Sequence, residues 1–116
     1  MHELPVTQSI LEIALRYAGE KDARRITHLY LVIGDLSSIL DDSVQFYWDI
    51  ISRGTIAEGA VLHFQRVPTR MVCFECGSTY LPERGTLACP VCNSALVQVA
   101  AGDEFRLDAI DIETDD

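Results

Sequence analysis

The chain has 116 residues, 48% of them apolar, and a formal charge of −9 from 18 acidic and 9 basic side chains. That length suits one domain, or one domain carrying a small module, and the apolar share excludes wholesale disorder. No apolar run approaches the ~18–20 residues of a membrane span, and the start MHELPVTQSI lacks the basic and apolar regions of a signal peptide.

These features predict a cytoplasmic protein with no membrane insertion. The acidity also counts against nucleic acid as a partner, because phosphate binding needs clustered Lys and Arg and the chain has a single lysine, Lys21. The charge is uneven. Residues 103–116 hold seven acids against Arg106, which is −6 of the −9, and the last three residues are expected to fray.

The first helix is predicted near residues 5–18. Pro5 suits its start, Val6, Ile10, Ile13, Ala14 and Tyr17 form one apolar stripe, and Gly19 is placed as its stop. A strand follows at about 25–33. Leu29, Leu31 and Ile33 lie on one face, and Ile26, His28, Tyr30 and Val32 on the other, so both faces are expected to be covered. Asp41, Asp42 and Ser43 offer caps for a second helix at about 43–53, with Val44, Tyr47, Trp48 and Ile51 as its stripe and Gly54 closing it.

A second strand is predicted near 60–67, with Leu62 and Phe64 on one face. In the segment 104–113 the apolar parity changes between Leu107 and Ile110, which suggests a bulge. Between these strands, residues 69–100 are rich in cysteine and turn residues and poor in large apolar side chains. About 30 residues cannot bury enough surface to fold alone, so something must staple them.

The staple is visible as Cys73-Phe-Glu-Cys76-Gly77 and Cys89-Pro-Val-Cys92-Asn93. Two residues between thiolates let one tight turn present both sulfurs to one metal. Gly77 and Asn93 tolerate a left-handed backbone, which turns N–H groups toward the sulfurs. Two such knuckles make the tetrahedral S4 set preferred by structural zinc, with a rubredoxin-like iron site as the alternative. A disulfide pair is disfavoured, since nothing implies export. Four cysteine ligands leave no open position for water, so the site is expected to be structural. Arg66, Arg70 and Arg84 flank it.

The opening Met1-His2-Glu3 is the second metal-binding candidate. The bulky His2 predicts a retained Met1 with a free amine. The α-amine, the deprotonated His2 amide and the His2 imidazole can then wrap one metal in adjacent chelate rings. Nitrogen-rich tetragonal sets favour Ni(II) or Cu(II), and an α-amine with a pKa of about 7.7–8.0 deprotonates near neutrality at modest cost. The Glu3 side chain, Asp41 and Asp42 are candidates for a further ligand. Glu3 also suits the dipole of the helix that follows. His28 and His63 lie in predicted strands and are read as packed or exposed strand residues.

On three sets of residues the chain resembles the HypA/HybF nickel metallochaperones of NiFe-hydrogenase maturation. They are Met1-His2-Glu3-Leu4 with Gln8-Ser9 through Glu12, then Ile33-Gly34-Asp35-Leu36-Ser37 and Arg53-Gly54-Thr55-Ile56-Ala57-Glu58-Gly59, and last both Cys-x2-Cys pairs. The resemblance implies an α+β fold in which two helices lie on a small mixed three-stranded sheet, with an inserted zinc-ribbon-like domain. It divides the chain into a nickel domain, 1–68 and 101–116, and a zinc domain, 69–100.

The same resemblance implies Ni(II) on Met1, His2 and Glu3, and Zn(II) on Cys73, Cys76, Cys89 and Cys92. It implies a non-enzymatic role: nickel delivery to the hydrogenase large subunit with a GTPase partner, HypB, by a monomer or homodimer. Some relatives also serve urease. Certain members carry His beside the zinc cysteines. Here Ser78 and Asn93 stand there, so no exchange of Cys for His is expected. A zinc-ribbon binding module and a rubredoxin-like electron carrier are the competing classes.

Overall fold

The computed structural model describes residues 3–82 and 88–115. Met1, His2, Arg84 and Asp116, all singled out in the sequence, lie outside the described residues. The described residues divide into two compact units.

The first unit comprises residues up to Val32, Ser38–Gln65 and Arg106 onward. Its first helix, α1, spans Glu3–Glu20 and buries Ile10, Leu11, Ala14 and Ala18. The helix passes through Gly19, which is not its stop. The chain leaves α1 through Asp22, in the left-handed region at φ 51, while the Ala23 N–H closes back on the Ala18 carbonyl at 2.9 Å. An Asp at this position tolerates the conformation nearly as a Gly does.

The second helix, α2, spans Asp41–Ile51, packs on α1 and buries Val44 and Trp48. Its N-cap is Leu40, with no side-chain cap, so the expected caps Asp41 and Asp42 sit instead in the first turn. There their charge favours the helix dipole.

The strand β1, Arg25–Gly34, is the middle of a three-stranded sheet, with β2, Val61–Val67, on one side and β6, Phe105–Glu113, on the other. Arg24 N–H bonds the Glu113 carbonyl and Gly34 N–H bonds the Glu104 carbonyl, so β1 and β6 run antiparallel. The link from β1 to β2 carries α2, the crossover that a parallel neighbour requires.

Leu29, Leu31 and Ile33 are almost fully buried, as their alternation predicts. The other face of β1 departs from expectation. Ile26 and Val32 are buried, but His28 is only half-buried and Tyr30 is 36% exposed, so this face is open between them. Along β6 the partly buried residues are Phe105 and Leu107, then Ile110 and Ile112, the same change of parity seen in the sequence.

The second unit comprises Ile33–Ser37 and Arg66–Phe105. It holds a second three-stranded sheet: β3, Arg70–Cys73, lies between β4, Thr79–Tyr80, and β5, Val97–Ala101. Both neighbours are antiparallel to β3. Its buried apolar set among the described residues is small: Ile33 and Met71 with Cys73 and Cys89. Such a unit needs the cross-link that its cysteines offer.

Candidate metal centre

Each cysteine pair sits on a tight turn. Cys73 ends β3, and the Gly77 N–H closes on the Cys73 carbonyl at 3.0 Å with Gly77 at φ 76. The second knuckle repeats this: the Asn93 N–H closes on the Cys89 carbonyl at 2.8 Å with Asn93 at φ 62. The expected left-handed residues are therefore the ones that close the turns. The Val91 N–H points at Cys89 Sγ at 3.4 Å.

The two knuckles bring four sulfurs together, all within 4.8 Å of one another. Cys73 Sγ lies 3.6 Å from Cys92 Sγ, and Cys76 Sγ lies 3.6 Å from Cys89 Sγ. A tetrahedral ion with metal–sulfur bonds of about 2.3 Å separates its sulfurs by about 3.8 Å, so the spacing fits one such ion.

The thiols are not equivalent. Cys73 and Cys89 are buried, whereas Cys76 and Cys92 are exposed. Side-chain and backbone hydrogen bonds from Ser78, whose hydroxyl is 3.3 Å from the sulfur, hold Cys76 down at about 6. At Cys92 the Ser94 backbone N–H pulls the other way. Contact with Cys73, burial, Cys76 and Cys89 together push that thiol up to about 12. One sulfur is thus ready as a thiolate at neutral pH, and a metal would displace protons from the rest. Desolvation and the four cysteines also raise the Tyr80 phenol beside them.

At the chain's other candidate, Glu3 begins α1 and is 2% exposed. Its Oε1 has no hydrogen-bond partner among the described residues. An ionised carboxyl oxygen without a partner is costly to bury. The sequence offered Glu3 as a ligand or dipole partner, and its burial was not visible there. Asp41 is half-buried and Asp42 exposed.

Of the flanking arginines, Arg66 pairs with Asp35 at 4.0 Å and donates to the Gly34 carbonyl at 3.4 Å, while Arg70 is exposed. No helix is long and apolar enough to cross a membrane, among the described residues.

A family model for hydrogenase/urease nickel incorporation, the metallochaperone HypA, matches residues 1–112. The chain belongs to the HypA family. Hydrogenase maturation factor HypA of Dehalococcoides mccartyi is 38% identical over 97% of this chain and 95% of its own. The factor of the same name from Geobacter metallireducens is 39% identical over 97% of this chain and all of its own.

The solution structure of the Ni metallochaperone HypA from Helicobacter pylori covers 99% of this chain and 100% of its own. Its TM-score is 0.69 at 21% identity, a likeness of fold. The two helices, the two small sheets and the four-cysteine cluster are thus those of a HypA fold.

Proposed function

We propose that this HypA-family chain carries Ni(II) at its first residues and delivers it to the NiFe-hydrogenase large subunit, with the GTPase HypB acting in the same step. The observation that carries this reading is the reach of the family match. It runs from residue 1 to residue 112 and so takes in both the opening tripeptide and the four clustered sulfurs.

In this reading the Met1 α-amine, the His2 amide nitrogen and the His2 imidazole hold the ion, and Glu3 belongs to the same set. The buried Glu3 Oε1, without a hydrogen-bond partner among the described residues, supports it, because a cation or its water would relieve that oxygen. Such a set at a chain end opens one ligand at a time, which lets a recipient's ligands enter.

Cys73, Cys76, Cys89 and Cys92 hold Zn(II) as a structural ion in an inserted domain, 69–100. A closed S4 set has no position for substrate water, so the role is cross-linking and not catalysis. The chain is a cytoplasmic carrier without enzymatic activity, acting as a monomer or homodimer.

Two metals then have two lifetimes. In competition with a mild chelator, nickel leaves the loaded chain quickly while zinc stays. Equal exchange rates for both ions would contradict this division of roles.

A further inference from the structure

The open face of the first sheet carries an arrangement that neither the nickel end nor the sulfur cluster uses. His28 on β1 and His63 on β2 face each other, with Nδ1 of the first 2.9 Å from Nε2 of the second. Their rings are 5.1 Å apart between centroids and tilted by 31°. Tyr30, two residues beyond His28, lies flat against His63 at 4.7 Å and 11°. Its hydroxyl donates to Asp111 Oδ2 on β6 at 2.7 Å. All three strands thus contribute, and His63 and Tyr30 are exposed.

Two imidazoles at this distance share one proton, one ring donating and the other accepting. When the donor ring shifts its proton to its other nitrogen, both facing nitrogens carry lone pairs, and a metal ion can bind the two from one side. With metal–nitrogen bonds of about 2.0–2.1 Å, two nitrogens at right angles around one ion lie about 2.9 Å apart, so rings that turn while keeping their nitrogens near the present 2.9 Å can hold such an ion. A tetrahedral ion needs about 3.3 Å from the same bonds. Right-angled nitrogen pairs belong to tetragonal Ni(II) and Cu(II) centres.

For the two lone pairs to converge, each ring must swing outward about its own side-chain bonds. The exposed side of the sheet leaves room for that swing and for water in the remaining positions. The Tyr30 ring, tied to Asp111, limits how far His63 can swing.

We infer that His28 and His63 form a second, solvent-open site for a tetragonal divalent transition metal, separate from the chain's first residues and from the four cysteines. Two imidazoles and water make a weak site compared with an amine–amide–imidazole chelate. It suits transient holding of the ion.

The test uses the zinc-loaded full chain carrying His2→Ala. His28 and His63 are then the only imidazoles left, since the chain has three histidines. The expected result is one equivalent of Ni(II) bound in equilibrium dialysis, weakened at least tenfold by adding either His28→Gln or His63→Gln. Ring resonances of both histidines should be perturbed by Ni(II) in the His2→Ala parent. Tyr30→Phe, which keeps both imidazoles, should still bind.

Absence of Ni(II) binding in the His2→Ala chain, or binding unchanged by His63→Gln, would overturn the site. So would ring signals indifferent to Ni(II). Because His2 is already gone, none of these results bears on the N-terminal chelate.

Discussion

A Cβ placed on Gly34 would sit 2.0 Å from the carbonyl oxygen of Gly102. The Leu36 N–H donates to that same oxygen at 2.8 Å. Gly102 is itself constrained: its φ is +111, and a Cβ there would lie 2.6 Å from Thr69 Cα. The three nearest atoms at Gly34 are all main chain, and at Gly102 two of the three are, the third being the Thr69 hydroxyl oxygen, so the backbone itself would have to move.

Gly34→Ala should therefore exceed an ordinary overpacking penalty of ~1–3 kcal/mol. Urea denaturation of the metal-loaded chain measures it. A midpoint equal to wild type would show that the two segments part more easily than the geometry allows.

The unequal thiols give a chemical prediction. In the metal-free chain, Cys76 is both exposed and held near 6 by Ser78, whereas Cys92 is exposed but pushed up to about 12. Alkylation proceeds through the thiolate. Limiting iodoacetamide at neutral pH should label Cys76 first, as read by peptide mass spectrometry. Ser78→Ala should slow that labelling, and zinc should protect all four sulfurs. Preferential labelling of Cys92 would contradict the assignment.

The Tyr30–Asp111 contact predicts a pH effect. The hydrogen bond to Asp111, desolvation and the carboxylate's charge raise the Tyr30 phenol above 10. A raised acid favours the fold while protonated. Its contribution is therefore whole below the unfolded value of about 10 and is lost as pH climbs through the raised value. The Tm difference between wild type and Tyr30→Phe should be constant at neutral pH and shrink at strongly alkaline pH. A difference that does not change with pH would mean the hydrogen bond contributes nothing.

How much of this was legible depends on sequence distance. The knuckles could be read because Cys73, Cys76 and Gly77 are local, and the positive φ at Gly77 and Asn93 follows from residue type. The burial of Leu29 and Leu31 followed from alternation alone. The meeting of Gly34 with Gly102 was hidden, since their approach is a property of distant backbone segments that no local pattern encodes.

The cluster of His28, His63, Tyr30 and Asp111 was hidden for the same reason. Each residue is ordinary in its own strand, and sheet order alone makes them neighbours. Helix ends misled where tertiary packing overrode preference: α1 runs through Gly19, and α2 starts after Leu40 despite acids at hand.

Trp48, on the helix α2 that packs against α1, is the largest fully buried side chain among the described residues. Trp48→Ala should cost about 3–5 kcal/mol, the range for emptying a large aromatic site. The loss should appear in chemical denaturation of the zinc-loaded chain. A loss below about 1 kcal/mol would mean that the neighbouring helices collapse into the space.

In the proposed function nickel is held by the chain's own first residues through a free amine. The most direct measurement is a Ni(II) titration of the native chain against a chain with two extra N-terminal residues, both zinc-loaded. The extension removes the amine from the chelate without touching the fold or the sulfurs. Ni(II) affinity should fall sharply and the nickel spectrum change in the extended chain, with zinc content unchanged. Equal affinity and an identical spectrum in both chains would contradict it.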